Sequence, residues 1–199
     1  TAAFRLLAIP AILLVVASTV LRHSGTAVQG SFYVVYLESI GITGTSIGLL
    51  LGVFGVVGAL GSLTPGPLAR VIPIHWLLLA ATLLSFTFIA ITPLLGAFWA
   101  LLIALGLRGG SQGASMTLMI SITAQSAGAD AQGKGVALRI TANRLTSMLV
   151  PVAMGGVVEA VGLENAFFVM GGGAIALLGV VAVVTGRSRA FGRQRVTPG

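Results

Sequence analysis

The chain has 199 residues, a formal charge of +7, 56% hydrophobic and 8% charged residues, and a mean hydropathy of +1.07; soluble domains carry roughly 25% charge, so a soluble globular domain is excluded. Four acids, two histidines and no cysteine exclude a cysteine-based site and leave little equipment for metal or acid/base chemistry. The basic excess sits in short gaps between long apolar runs, the pattern that orients membrane helices, so it points to a lipid bilayer and away from nucleic acid.

Uncharged stretches of 31 residues between Glu38 and Arg70, 37 between Arg70 and Arg108 and 22 between Glu164 and Arg187 compare with the about 20 that a bilayer-crossing helix needs. The expected fold is an all-α integral membrane bundle of six transmembrane helices. The first span, 6–36, lacks the A-x-A site of a cleaved signal peptide. It holds Gly25 and Gly30, where a membrane helix can bend or pack closely. Gly41-Ile42-Thr43-Gly44 ends it, and Thr45 is the expected N-cap of the second span, 45–63. Gly48, Gly52, Gly55, Gly58 and Gly61 stud that span, with Gly48 and Gly52 forming a GxxxG pair of the kind that lets helix backbones approach.

Pro65-Gly66-Pro67 and Arg70 to Pro73 make the next turn, followed by a third span, 74–92, and a short hairpin from Pro93 to Gly96. The fourth span, 97–123, carries Arg108 with Gly109, Gly110 and Gly113 beside it as exposed backbone. After a polar loop from Gln125 to Lys134, the fifth span, 136–161, opens with Arg139 and Arg144 and contains Pro151. The sixth, 166–185, is wholly apolar, and Arg187, Arg189, Arg193 and Arg195 form a basic tail suited to anionic head groups. The expected organisation is a membrane domain over 1–186 and a cytoplasmic tail over 187–199.

Six spans put both termini, the Arg70 turn and the Lys134 loop on one side, and Glu38, Glu159 and Glu164 on the other without any Lys or Arg. Positive loops mark the cytoplasm, so both termini are expected there, in a bacterial inner membrane. Leu21-Arg22 and Leu107-Arg108 fall at similar depths in the first helices of two three-helix halves. Three helices per half gives two inverted repeats, a plan that places binding groups near the bilayer midplane in secondary transporters.

Arg22, His23 and Arg108 are the informative side chains. A cation near the bilayer centre costs about 2.5–3.5 kcal/mol on insertion scales and must face protein or water. With no intramembrane acid in the sequence, the partner is a substrate anion, a carboxylate of another chain, or helix carbonyls; a boundary residue snorkelling to the interface is the alternative for Arg22. Gln29, seven residues after Arg22, Tyr33, and Gln112, four after Arg108, lie at helical steps that put them on cavity-facing stripes. They either hydrogen-bond a substrate or tie helices together. His23 is also a candidate proton carrier, since histidine titrates in the physiological range.

Gly44-Thr45-Ser46-Ile47-Gly48 and Gly109-Gly110-Ser111-Gln112-Gly113 match the G-x-S-x-G pattern of serine hydrolases. Neither has a histidine suitably placed: His23 and His75 both precede Ser111, and His75 sits at the opposite membrane edge from Ser46. No enzymatic activity is expected, and neither a metal-binding nor a nucleotide-binding motif occurs, so no cofactor is expected either.

Ser31-Phe32-Tyr33-x-x-Tyr36-Leu37-x-x-Ile40-Gly41-Ile42-Thr43-Gly44, the stretch from Gly61-x-Leu63 to Gly66-Pro67-Leu68-Ala69-Arg70, and Gly133-Lys134-Gly135 through Ala142-Asn143-Arg144-Leu145 to Pro151 and Gly155-Gly156 together resemble the C-terminal half of a major facilitator superfamily transporter. The family's loop after the second helix carries an Asp and a basic run; here the Asp is missing and Val71-Ile72-Pro73 replaces the run, which suits a second half. The resemblance implies twelve helices in two six-helix halves around a central cavity lined by the first and fourth helix of each half, where Arg22 and Arg108 fall. It implies a transporter moving a small polar or anionic organic solute by alternating access. Because the chain opens almost inside its first span, the expected partner is a missing N-terminal half or a second copy; a free-standing half-size protein without transport activity is the competing reading.

Overall fold

The structure is a computed structural model that describes residues 10–126 and 129–187. The start of the expected first span at 6–9 and the expected tail residues Arg189, Arg193 and Arg195 lie outside the described residues. All regular structure among the described residues is helical: α1 Pro10–Val28, a π-turn Gln29–Tyr33, α2 Val34–Ser39, α3 Thr45–Gly61, α4 Pro65–Leu68, α5 Ile74–Ile91, a 3-10 turn Thr92–Leu94, α6 Phe98–Ser126, α7 Ala129–Val161 and α8 Leu163–Arg187.

α1, the π-turn and α2 form one continuous helical run. It ends where Gly41 takes φ 83°, a left-handed conformation that glycine adopts without Cβ strain. The amide of Ile42 bonds to the carbonyl of Leu37 at 2.9 Å and that of Gly41 to Glu38 at 3.0 Å, the paired bonds of a Schellman cap. Gly44, with φ 57° and ψ −125°, is the N-cap of α3, and no side chain caps it; the expected Thr45 cap is therefore displaced by one residue. Gly162, at φ 83°, turns α7 into α8. The predicted loop before the fifth span is shorter than its polarity suggests, because α7 already begins at Ala129.

Three described segments are long and apolar enough to cross a membrane by themselves: Ile74–Leu94, Arg139–Val161 and Leu163–Val184. Thr45–Gly61 is apolar but shorter. The long helices α1 and α6 are diluted by polar residues that face other helices, Arg108 being 3% exposed and Ser18, Thr19, Gln29, Ser111 and Ser115 all buried. Hydropathy summed along a helix does not see that shielding.

α6 sits at the centre, packed on α3 and α5 and touching α1; α1 packs chiefly on α7, and α8 lies on α5 and α7. The core contains Leu37, Leu50, Leu78, Leu101 and Leu118, all fully covered, and an edge-to-face pair of Tyr36 and Phe167 with ring centroids 5.4 Å apart ties α2 to α8.

The α3–α6 contact is made backbone to backbone, but not through the expected GxxxG pair. Gly48, Gly52 and Gly55 have nothing within 4 Å of where a Cβ would stand. The close approach lies one to two turns further on, where a Cβ on Gly61 would collide with the Gly110 backbone, one on Gly109 with the Phe54 carbonyl, and one on Gly113 with the Gly58 carbonyl. Gly109, Gly110 and Gly113 are thus packing positions and not exposed backbone. Lipid offers no hydrophobic drive between helices, so such contact has to come from small residues. A methyl group there is overpacking, which costs typically about 1–3 kcal/mol. Gly113→Ala is accordingly expected to lower the melting temperature of the purified protein in detergent clearly, whereas Gly52→Ala leaves it within error; equal effects would refute this assignment of the packing face.

Candidate functional site

The sequence-selected side chains separate into two clusters on neighbouring faces of α1. The first lies between α1 and α6. Gly25 on α1 has no side chain, and a Cβ there would stand 3.5 Å from Arg108 Nη2 and 3.1 Å from Ile89 Cδ1. The Arg108 guanidinium reaches the α1 backbone beside it, where Nη2 donates to the Gly25 carbonyl at 2.7 Å. Nη1 donates to Gln29 Oε1, and the guanidinium carbon lies 5.4 Å from the centroid of the Phe54 ring on α3. Arg108 Nε has no partner among the described residues.

Gln29 opens the π-turn, and Tyr33 closes it; both are buried. A π-turn adds a residue to one helical turn and re-aims the side chains around it, which is why such turns recur at functional sites. Tyr33 is close enough to Arg108 for the two groups to interact electrostatically. One turn from Arg108, Gln112 Nε2 donates to Thr26 Oγ1 at 2.8 Å. The cross-pairing differs from the stripes read along each helix: Gln29 serves Arg108 on the facing helix, not Arg22 on its own.

The second cluster lies between α1 and α7. Arg22 Nη1 approaches His23 Nε2 at 3.3 Å; since arginine only donates, this contact makes Nε2 the unprotonated, accepting nitrogen of a neutral ring. Arg22 Nε is buried without a partner. Both residues border a cavity of about 70 Å³ whose far wall is Arg139 and Asn143 on α7. Arg139 and Asn143 were outside the candidate set. Their signal was the four-residue step between a cation and an amide on one helical face inside an otherwise apolar span; Arg144, noted with Arg139, is exposed.

The three carboxylates whose side chains are described, Glu38, Glu159 and Glu164, are exposed and pair with neither cluster. The serine-hydrolase patterns dissolve as well. Ser111 Oγ donates back to the Leu107 carbonyl of its own helix at 2.9 Å, and Ser46 lies exposed at the start of α3. No group of three metal-ligating side chains occurs among the described residues.

Apolar helices of membrane-spanning length, packed through glycines and carrying guanidiniums inside the bundle, define an integral membrane protein whose polar interior handles a solute. The chain belongs to the Major Facilitator Superfamily, whose family model matches residues 14–196. It is a secondary transporter and not an enzyme, resides in the lipid bilayer and binds a solute. No individually curated protein and no solved structure matches it.

Hydrogen bonds to a charged group are worth about 1.5–3 kcal/mol and neutral ones about 0.5–1.5 kcal/mol. Gln29→Leu, which strips a buried guanidinium of one acceptor, is therefore expected to destabilise the protein about twice as much as Gln112→Leu, which breaks only the amide–hydroxyl bond. Thermal unfolding of both variants in the same detergent checks the ratio.

Proposed function

We propose that this chain is the C-terminal six-helix half of a twelve-helix transporter and moves a small polar or anionic organic solute by alternating access. Residues 1–186 form the membrane domain, with spans near 6–36, 45–63, 74–92, 97–123, 136–161 and 166–185, and residues 187–199 a basic cytoplasmic tail. The membrane is a bacterial inner membrane with both termini on the cytoplasmic side, following the distribution of Lys and Arg.

Helix pairing supports two inverted three-helix repeats. The second helix of the first triplet, α3, packs on the first of the second triplet, α6, and the first of the first triplet, α1, packs on the second of the second, α7. A two-fold axis in the membrane plane exchanges those two contacts. The degenerate turn between Gly61 and Pro73, without its acid, supports the C-terminal half over the N-terminal one.

The observation that carries the solute class is the cluster around Arg22: a cation and an imidazole at a cavity, with one donor nitrogen buried and, among the described residues, neither a hydrogen-bond partner for it nor an acid beside it. A buried charge without a counter-charge is unfavourable, so an entering anion gains what the protein withholds. Arg22 and His23 contact the solute. Arg108, Gln29, Tyr33 and Gln112, grouped between α1 and α6, are the further residues assigned to solute binding.

The full chain, purified in mild detergent, is expected to be stabilised by at least one small organic anion from a panel of mono-, di- and tricarboxylates, and not by sugars or organic cations. A ligand at about 100 times its Kd adds about 2.7 kcal/mol, a readily measured rise in melting temperature that Arg22→Gln abolishes. Stabilisation by sugars or cations alone, or an unchanged anion response in Arg22→Gln, overturns the assignment. Native mass in the same detergent identifies the partner: a protein mass of 20.1 kDa means a lone half that awaits an N-terminal half, and twice that value means pairing with a second copy.

A further inference from the structure

The small cavity between α1 and α7 has a composition that its size makes informative. Arg22, His23, Arg139 and Asn143 line it, together with Thr19, Ile140 and the α6 residues Met116 and Met119. Arg22 Nε and Asn143 Oδ1 are both buried at its edge without a hydrogen-bond partner among the described residues. Arg139 has no hydrogen bond or ion pair to any described residue, and the two arginines are close enough to repel each other. Like charges brought together without an acid destabilise the packed helices unless something negative sits between them.

From this arrangement we infer that Arg139 and Asn143 complete an oxyanion subsite with Arg22 and His23, and that it holds the head group of the solute, a carboxylate or phosphate. The inference rests on the solute reading above and extends it to α7. The volume of about 70 Å³ suits one oxyanion group. Guanidiniums offer paired N–H donors that match the oxygens of carboxylate or phosphate. The partnerless Nε of Arg22 and the amide of Asn143, whose oxygen and nitrogen ends are interchangeable by a flip, supply further donors. With two fixed positive charges, the subsite prefers a divalent group to a monovalent one. The Arg108 cluster differs in kind, because two of its three nitrogens already have protein acceptors.

Inorganic phosphate, without any organic part, is the simplest probe. The full chain in detergent, at constant ionic strength against chloride, is expected to melt at a higher temperature as phosphate is added. In Arg139→Gln the half-saturating phosphate concentration rises at least ten-fold, while Arg144→Gln, on the exposed face of the same helix, responds as the wild type does. Asn143→Asp builds the missing counter-charge into the cavity: its melting temperature in chloride is expected to exceed that of the wild type, and its phosphate response to vanish. This variant keeps the test open should Arg139→Gln fold poorly, since it differs from the parent by an isosteric group.

No phosphate response in the wild type, or a wild-type response in Arg139→Gln or Asn143→Asp, overturns the subsite. If Arg22→Gln abolishes the response to organic anions while Arg139→Gln retains it, the transporter reading survives and only the α7 contribution falls. The source of the oxyanion is separated by repeating the titration in nanodiscs of phosphatidylcholine with and without phosphatidylglycerol. Phosphate response in both supports a solute head group; its suppression by the anionic lipid means that a lipid phosphate fills the cavity, and the solute assignment falls.

Discussion

A guanidinium inside a helix bundle without a carboxylate to meet it is the constraint that organises this protein. Arg108 is 3% exposed, and insertion of such a cation costs about 2.5–3.5 kcal/mol. Neutral oxygens meet it: the side chain of Gln29 and the backbone carbonyl of Gly25 each accept one N–H. Two charge-assisted bonds at about 1.5–3 kcal/mol apiece are enough to offset that cost. The Phe54 face adds a smaller electrostatic attraction. A carboxylate in place of Gln29 would hold the charge more tightly and leave it unavailable to a passing anion. On the proposed reading, neutral acceptors stabilise the cation and still yield to a competitor with full negative charge.

Reaching those acceptors depends on backbone proximity, and the glycines provide it at two places. At Gly25 the α1 backbone lies open to Arg108, and a Cβ there would crowd Ile89. On the other side of α6, Gly109, Gly110 and Gly113 press against Phe54, Gly58 and Gly61 of α3, which fixes the depth and rotation of the helix that bears the arginine. The π-turn completes the geometry from the α1 side, since it begins at Gln29 itself. Site and packing are therefore one structure: the residues next to Arg108 in sequence hold its helix against α3, while its own side chain crosses to α1.

Much of this was legible in the sequence, and the boundary between what was and was not has a physical origin. Long uncharged runs and glycine-proline turns mark α3, α5 and α8 because a bilayer imposes length and apolarity on any helix that crosses it. Arg22 and Arg108 stood out for the same reason. Helical periodicity, however, reports which residues share a face and is silent on which face meets which helix. Hence Gln29 was grouped with Arg22, seven residues earlier, when its partner is Arg108, 79 residues away. The GxxxG pair at Gly48 and Gly52 misled similarly: the motif states that close approach is permitted, and the approach occurs at Gly58 and Gly61 because their partners on α6 are also glycines. The π-turn was not readable from the sequence: Gly30, its second residue, marked only a place where a helix can bend. Arg139 was visible as a charge near the edge of a span, but the cavity it shares with Arg22 and His23 exists only once α7 is laid against α1.

On the proposed reading, α1 is the helix that both clusters share, and this places the coupling between solute and conformation. One face of α1 is tied to α6 through Arg108; the adjacent face shares the cationic cavity with α7. A solute anion in that cavity cancels the repulsion between Arg22 and Arg139 and so draws α7 toward α1. Any rotation of α1 that accompanies this must shift Gly25 and Gln29 relative to Arg108, because Arg22, Gly25 and Gln29 lie within about two turns of one continuous helical run. The interaction released is a pair of hydrogen bonds to neutral acceptors, worth a few kcal/mol at most, which is comparable to what a bound ligand contributes at working concentrations. A salt bridge in their place would bias one conformation too strongly for a solute to reverse. Neutral rather than acidic partners for Arg108 among the described residues are, on this argument, what keeps the two arrangements close enough in energy for transport.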